Sequence, residues 1–169
     1  MIKVFGHKAP DTDATASAII WAWYMKQKGI NAVPYVLGKP NTEAAFVINY
    51  WGFDIPDILK DIEKGEDVII VDTNNPAELP NNISNANIIE IIDHHLLIGG
   101  LKTNKPISIT IKPLASTASI MAEMMGDDLI HAPKEIKGLI LSCILSDTLE
   151  FRSPTTTNTD IELAKKLSS

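Results

Sequence analysis

The chain is short of positive charge, of cysteine and of long apolar runs, and each shortage narrows what it can do. Fifteen Lys and Arg stand against 21 Asp and Glu in 169 residues, a formal net charge of −6. A general nucleic-acid binder presents a basic face, so the balance argues against nucleic acid as a partner. An acidic protein that acts on a polyanion needs bound cations to supply the missing positive charge. The single cysteine, Cys143, lies in an apolar run and has no partner for a disulfide within the chain. It reads as a buried, inert thiol of a cytosolic protein. No apolar run approaches the roughly 20 residues that span a membrane. The strand-like Met1-Ile2-Lys3-Val4-Phe5 shows no signal peptide. The expected location is cytoplasmic, with no membrane partner.

What is present is enough for one packed domain: 45% hydrophobic and 21% charged residues, with no internal repeat and no low-complexity tract. Short apolar runs alternate with helical patterns. Strands are expected over Ile2 to Gly6, Ala32 to Leu37, Asp67 to Val71, Asn87 to Ile92 and Ile107 to Ile111; Pro34 puts the second near an edge. Helices are expected over Asp13 to Lys28 (stopped by Gly29), Asn41 to Trp51, Pro56 to Glu63, Ser116 to Met125, Lys134 to Ser146 and Asp160 to Leu167. Strands apolar along their whole length, alternating with helices, indicate an α/β fold: a mostly parallel sheet with helices on both faces. In such sheets ligands bind beyond the carboxyl ends of the strands.

Four clusters carry the chemistry: His7-Lys8-Ala9-Pro10-Asp11-Thr12-Asp13, Asp72, Asp93-His94-His95 and Ser146-Asp147-Thr148. The first three follow apolar strand runs, where that topology puts ligands. Each also has a plain structural reading. Asp11-Thr12-Asp13 suits a helix N-cap, Asp72-Thr73-Asn74-Asn75-Pro76 suits a turn, and Asp147 suits a helix end, although a negative charge there opposes the helix dipole. Asp93-His94-His95 is the sharpest signal, because with His7 it gathers three of the chain's four imidazoles. Hard divalent cations take carboxylates, and imidazole shifts preference toward softer ions. One histidine of the pair would bind metal while the other faces a substrate as donor or acid. His131 reads as a surface or capping residue, and Trp21, Trp23 and Tyr24 as packing. Lys8, Lys112 and Arg152 are candidate phosphate contacts against a solvated alternative. Ser116-Thr117 reads as an N-cap whose N–H groups could also hold an anion.

Together these motifs resemble the DHH phosphoesterase superfamily and, within it, the manganese-dependent (family II) inorganic pyrophosphatases. Leu145-Ser146-Asp147-Thr148-Leu149, Ser153-Pro154-Thr155-Thr156-Thr157 and Pro113-Leu114-Ala115-Ser116-Thr117-Ala118 point to that branch. The resemblance implies two Mn²⁺ per chain, with Co²⁺ or Mg²⁺ as possible substitutes. His7, Asp11, Asp72 and Asp147 would hold one ion; Asp13, Asp72, His94 and Asp147 would hold the other. Asp93 would orient a histidine and His95 would contact pyrophosphate, which a water shared by the ions would attack in line. It also implies a homodimer. The alternatives are a DHH phosphoesterase acting on short oligonucleotides or cyclic dinucleotides, and a non-catalytic module for metal binding and dimerisation. Two departures stand out. Thr73-Asn74 occupies the place where the family often has His-Asn. Residues 1–169 resemble the N-terminal metal-binding domain alone, without the family's C-terminal domain that clamps the substrate.

Overall fold

The computed structural model describes all 169 residues. The chain runs β1 (Ile2–Phe5), α1 (Thr12–Gln27), β2 (Ala32–Val36), α2 (Thr42–Tyr50), β3 (Asp57–Ile58), β4 (Asp67–Val71), β5 (Asn87–Asp93), β6 (Ser108–Ile111), α3 (Thr117–Met125), α4 (Lys134–Asp147) and α5 (Asn158–Leu167). Three 3₁₀ turns lie at Pro76–Glu78, Ile83–Asn85 and Gly126–His131. No helix is long and apolar enough to cross a membrane.

The helix boundaries follow from their caps. Asp11 accepts the Ala14 N–H at 2.9 Å and opens α1; Gly29, at φ 77°, takes the left-handed position that closes it. Asn41 caps α2, Ser116 caps α3, and Thr157 with Asp160 forms a capping box on α5.

All strand pairs are parallel, in the order β3-β2-β1-β4-β5-β6. The first three strands grow the sheet one way and the last three the other, so the order reverses between β1 and β4. Pro34 is accommodated in β2 beside the two-residue edge strand β3.

Alternation along the strands feeds two cores. Val4, Ile69, Val71 and Ile92 face the helices, among Ile20, Ile120, Met121, Ile136, Leu139 and Ile140. Phe5, Val68, Ile70 and Ile91 face the other side, where Ile62, Leu79 and Ile83 cover them. The expected two-sided cover is therefore formed unequally: helices pack on one face, 3₁₀ turns and loops on the other. Each fully buried Ile or Leu stabilises the fold by about 1.5–3 kcal/mol relative to exposure.

A bulge breaks the alternation at Ile89, since Val68 pairs with Ile88 but Ile69 pairs with Glu90. Glu90 is thereby turned to the helical face, where Trp21 Nε1 donates to it at 2.8 Å. The helix expected over Pro56 to Glu63 does not form. Asp57 and Ile58 pair with Tyr35 and Val36, the Leu59 N–H donates to Val36 O at 2.8 Å, and Ile62 is buried in the second core. An open sheet edge and an apolar pocket override local periodicity.

Candidate metal centre

Because the sheet is parallel, β1, β4 and β5 deliver their following residues to one end. His7 and Asp72 flank the point where strand order reverses, and Asp93-His94-His95 comes from the next strand. Asp72 adopts φ 62°, a left-handed conformation that Asp tolerates better than most residues, while its N–H still donates to Ile92 O at 2.9 Å. Such a backbone costs on the order of 1–3 kcal/mol and is characteristic of functional turns. The carboxylate is buried. Its Oδ2 lies 3.2 Å from His7 Nε2 and its Oδ1 3.3 Å from His94 Nε2. The two oxygens thus face two different imidazoles.

Two groups of donors form around this divided carboxylate. His7, Asp11 and Asp72 make one; Asp13, His94 and Asp147 make the other, with ligand atoms within 4.8 Å of one another in each. A third grouping, Asp72, His94 and His95, overlaps both. Asp11 serves as helix cap and cluster member at once, with its Oδ1 3.6 Å from His7 Nε2. Asp13 is buried, and the start of α3 holds it: the Thr117 and Ala118 N–H groups donate to its two oxygens at 2.8 and 3.2 Å, and Ser17 Oγ donates at 3.1 Å. The anion expected at Ser116-Thr117 is therefore the protein's own carboxylate. His94 Nδ1 meets Leu114 O at 3.0 Å, which leaves Nε2 for the cluster. Asp147 is the last residue of α4, and its buried Oδ2 has no hydrogen-bond partner.

Asp93 stands apart from the donor groups and serves the histidines. Its Oδ1 accepts the His94 and His95 N–H groups and lies 2.7 Å from His95 Nδ1. Asn74 Nδ2 donates to its Oδ2 at 2.6 Å. Thr73 turns away to Glu78, with Oγ1 donating at 2.7 Å. His95 is half-exposed, with its Nε2 left free by the Asp93 contact.

The electrostatics are those of crowded, buried acids with two imidazoles among them. Burial, then the neighbouring Asp72 charge, holds the Asp13 carboxyl well above the usual range. Burial and the charges of Asp13 and Asp72 push Asp147 up further. For Asp72 burial works upward, but hydrogen bonds from His7 and His94 prevail and hold it well below the usual range. Burial alone would lower His7, yet its contacts with Asp11 and Asp72 raise it to about 10. The same balance, with Asp72 and Asp13 as partners, raises His94. Divalent cations fit this set. They would replace the protons that now neutralise it, the donors are carboxylate oxygens and imidazole nitrogens, and the Asp147 oxygen lacks any other partner.

A cavity of about 490 Å³ opens on the centre, lined by Asp11, Asp72, His94, His95, Asp147, Thr155 and the Pro113-Leu114-Ala115 segment. It contains no Lys or Arg. Lys8 reaches Asn81, Lys112 pairs with Glu123 at 2.7 Å, and the Arg152 Nε donates to Leu149 O, so none of the three candidate phosphate contacts enters it. His131 is exposed on a 3₁₀ turn away from the centre. Cys143 is buried, and burial pushes its thiol well up. Trp21 and Tyr24 are packed, with polar tips on Glu90 and Asp128.

Sequence reasoning missed several supports. Asn74 ties Asp93 to Leu96 O. Thr117 Oγ1 donates to Asp72 Oδ1 at 2.9 Å. Glu43 Oε1 accepts from Thr12 and Ser146 hydroxyls at 2.5 Å, joining the chain beside Asp11 and Asp13 to that beside Asp147. Asn74, Thr117 and Ser146 stand in motifs quoted above, but these contacts reach across 19 to 103 residues and leave no mark in local spacing.

Known proteins resemble the chain in sequence and in fold. A Clostridium acetobutylicum protein named "Probable manganese-dependent inorganic pyrophosphatase" is 40% identical over 167 residues, covering 99% of this chain and 54% of the relative. A Bacillus cereus protein of the same name is also 40% identical, over 98% of this chain and 54% of its own length. The chain spans about half the length of these curated relatives. Among solved structures, one described as "Methanococcus jannaschii putative family II inorganic pyrophosphatase" superposes with a TM-score of 0.88 at 39% identity, covering 99% of this chain and 55% of that one. An exopolyphosphatase-related protein from Bacteroides fragilis shares the fold at TM-score 0.77 and 16% identity. Residues 1–146 match the profile described as DHH family, N-terminal domain, and the chain belongs to that family.

Proposed function

We propose that this domain is the metal-binding half of an enzyme that hydrolyses inorganic pyrophosphate to two phosphates with two divalent cations, Mn²⁺ by preference and Co²⁺ or Mg²⁺ as substitutes. The observation that carries the reading is the division of Asp72, whose two buried oxygens face His7 and His94 at 3.2 and 3.3 Å. A carboxylate so placed can bridge two ions. His7 and Asp11 would complete the first site; Asp13, His94 and Asp147 would complete the second. The closeness of Asp147 to Asp13 and His94 supports a place for it in the second site; a contact with the first rests on the family resemblance.

Two such cations would supply positive charge to the phosphoryl oxygens and acidify a bound water. The chain's own residues do the rest. Asp72 fixes the spacing of the two sites. Asp93 holds His95 Nδ1, so that Nε2 faces the substrate as hydrogen-bond donor or acid. The cavity lining lacks Lys and Arg, so here the cations, with His95, would answer the substrate's charge. Pyrophosphatase names on relatives about 40% identical over nearly the whole chain support this substrate. The net charge of −6 speaks against nucleic acid. A cytoplasmic homodimer is part of the same reading.

The test is a side-by-side assay of pyrophosphate and a short dinucleotide with Mn²⁺, run on this chain. Mn²⁺-dependent release of phosphate from pyrophosphate is expected. Cleavage of the dinucleotide alone would transfer the site to the other DHH phosphoesterases.

A further inference from the structure

We infer that Asp160 is a positioning residue for the second cation site, acting through the Leu114–Ala118 segment; the inference rests on the two-cation reading above. Asp160 lies on α5, beyond residue 146, where the family match ends. It is fully buried. Its Oδ2 accepts from the Thr157 N–H at 3.0 Å, the Thr157 hydroxyl at 2.6 Å and the Ala115 N–H at 3.2 Å, and its Oδ1 accepts from the Ser119 hydroxyl at 2.7 Å.

Helix capping explains only half of this set. The caps of α1 and α2, Asp11 and Asn41, are reached by solvent, as a cap permits. A carboxylate fully removed from water is costly unless its hydrogen bonds replace the lost hydration. Asp160 accepts that cost while gripping a segment 41 to 45 residues earlier in the chain.

That segment orients three ligands of the second site. Leu114 O receives His94 Nδ1 at 3.0 Å. The Thr117 and Ala118 N–H groups hold both oxygens of Asp13, and Thr117 Oγ1 donates to Asp72. Ala115 and Ser119, the two residues that Asp160 holds, bracket the turn between them. His7 and Asp11 receive nothing from it. Loss of Asp160 should therefore loosen the ion held by Asp13, His94 and Asp147 more than the one held by His7 and Asp11.

Three variants separate this role from simple capping: Asp160→Asn, Ser119→Ala, which cuts only the α3 side, and Thr157→Ala, which cuts only the α5 cap. Each is titrated with Mn²⁺ by calorimetry and examined by electron paramagnetic resonance. Asp160→Asn and Ser119→Ala should weaken the second Mn²⁺ about tenfold or more. At two equivalents they should give the spectrum of isolated Mn²⁺ rather than a coupled pair. Thr157→Ala should lower the melting temperature and leave both ions in place. Should Asp160→Asn fail to fold, Ser119→Ala decides alone. Wild-type uptake of two Mn²⁺ with unchanged affinities in the variants would overturn the role of Asp160 and leave the metal reading standing. A wild-type chain that takes up no Mn²⁺ would overturn both.

Discussion

Asp93 Oδ1 lies 2.7 Å from His95 Nδ1 and accepts the same residue's N–H at 3.2 Å, so one carboxylate oxygen fixes both the backbone and the ring of His95. The contact raises the His95 pKa and holds the Asp93 carboxyl below the usual range, although burial opposes both shifts. Asp93→Asn should bring the His95 titration, read by NMR from its ring protons, down toward an ordinary imidazole. The linkage signs differ for the two partners. The stability contributed by His95 is complete below the unfolded imidazole value and fades as pH rises through its raised folded value. That contributed by Asp93 is complete above the unfolded carboxylate value and fades as pH falls through its lowered one. The loss in melting temperature on Asp93→Asn should therefore be greatest near about pH 5–6 and smaller toward either extreme. A flat difference across pH would contradict the pairing.

Metal uptake should release protons. In the metal-free centre His7 is raised to about 10, and His94, Asp13 and Asp147 are raised as well. Below those values each bound cation must displace protons, so affinity rises with pH. The apparent Mn²⁺ affinity should climb by roughly tenfold or more per pH unit between about pH 6 and 8. Calorimetry in buffers of different ionisation heat should show the released protons. An affinity independent of pH would mean that these groups are not the ligands.

The divided carboxylate sets an asymmetry between two substitutions. Asp72→Asn should lose both cations together, because both groups depend on it. His7→Gln should weaken mainly one, by about tenfold or more. Equal losses measured by Mn²⁺ titration in the two variants would contradict the bridging role.

Gly138 offers a test of packing behind the centre. A Cβ built there would meet the Trp51 ring at 2.3 Å, while Trp51 Nε1 donates to Ser142 Oγ at 3.0 Å and ties α2 to α4. Replacing Gly by Ala in a helix interior ordinarily stabilises by about 0.8–1.0 kcal/mol. Forcing atoms into a packed core costs about 1–3 kcal/mol, and a rigid indole at that distance puts the cost at the upper end. Gly138→Ala should therefore lower stability by about 1–2 kcal/mol in urea melts. A gain would show that Trp51 moves freely.

Much of this arrangement is legible in the sequence because β1, β4 and β5 are continuous apolar runs of strand length. Once they read as buried parallel strands, the residues after them must share one end of the sheet, and His7, Asp72 and Asp93-His94-His95 meet there. Asp13 and Asp147 were legible through spacing and an adverse helix position. What escaped the sequence depends on distant packing. Pro56 to Glu63 has helical periodicity, but a sheet edge and a core pocket claim it. Glu90 breaks an apolar strand for a reason visible only once the bulge turns it toward Trp21. Thr117 and Asp160 read as helix-starting residues, which they are; that Thr117 also donates to Asp72, and that Asp160 grips Ala115 and Ser119, appears only when α3 packs against β5 and α5 against α4.

The most direct test of the central claim is the anomalous diffraction of Mn²⁺ in crystals of this chain. Two peaks about 3.5–4 Å apart are expected, one beside His7 and Asp11, the other beside Asp13, His94 and Asp147, with the Asp72 carboxylate between them. A single peak, or none within reach of Asp72, would contradict the two-cation centre.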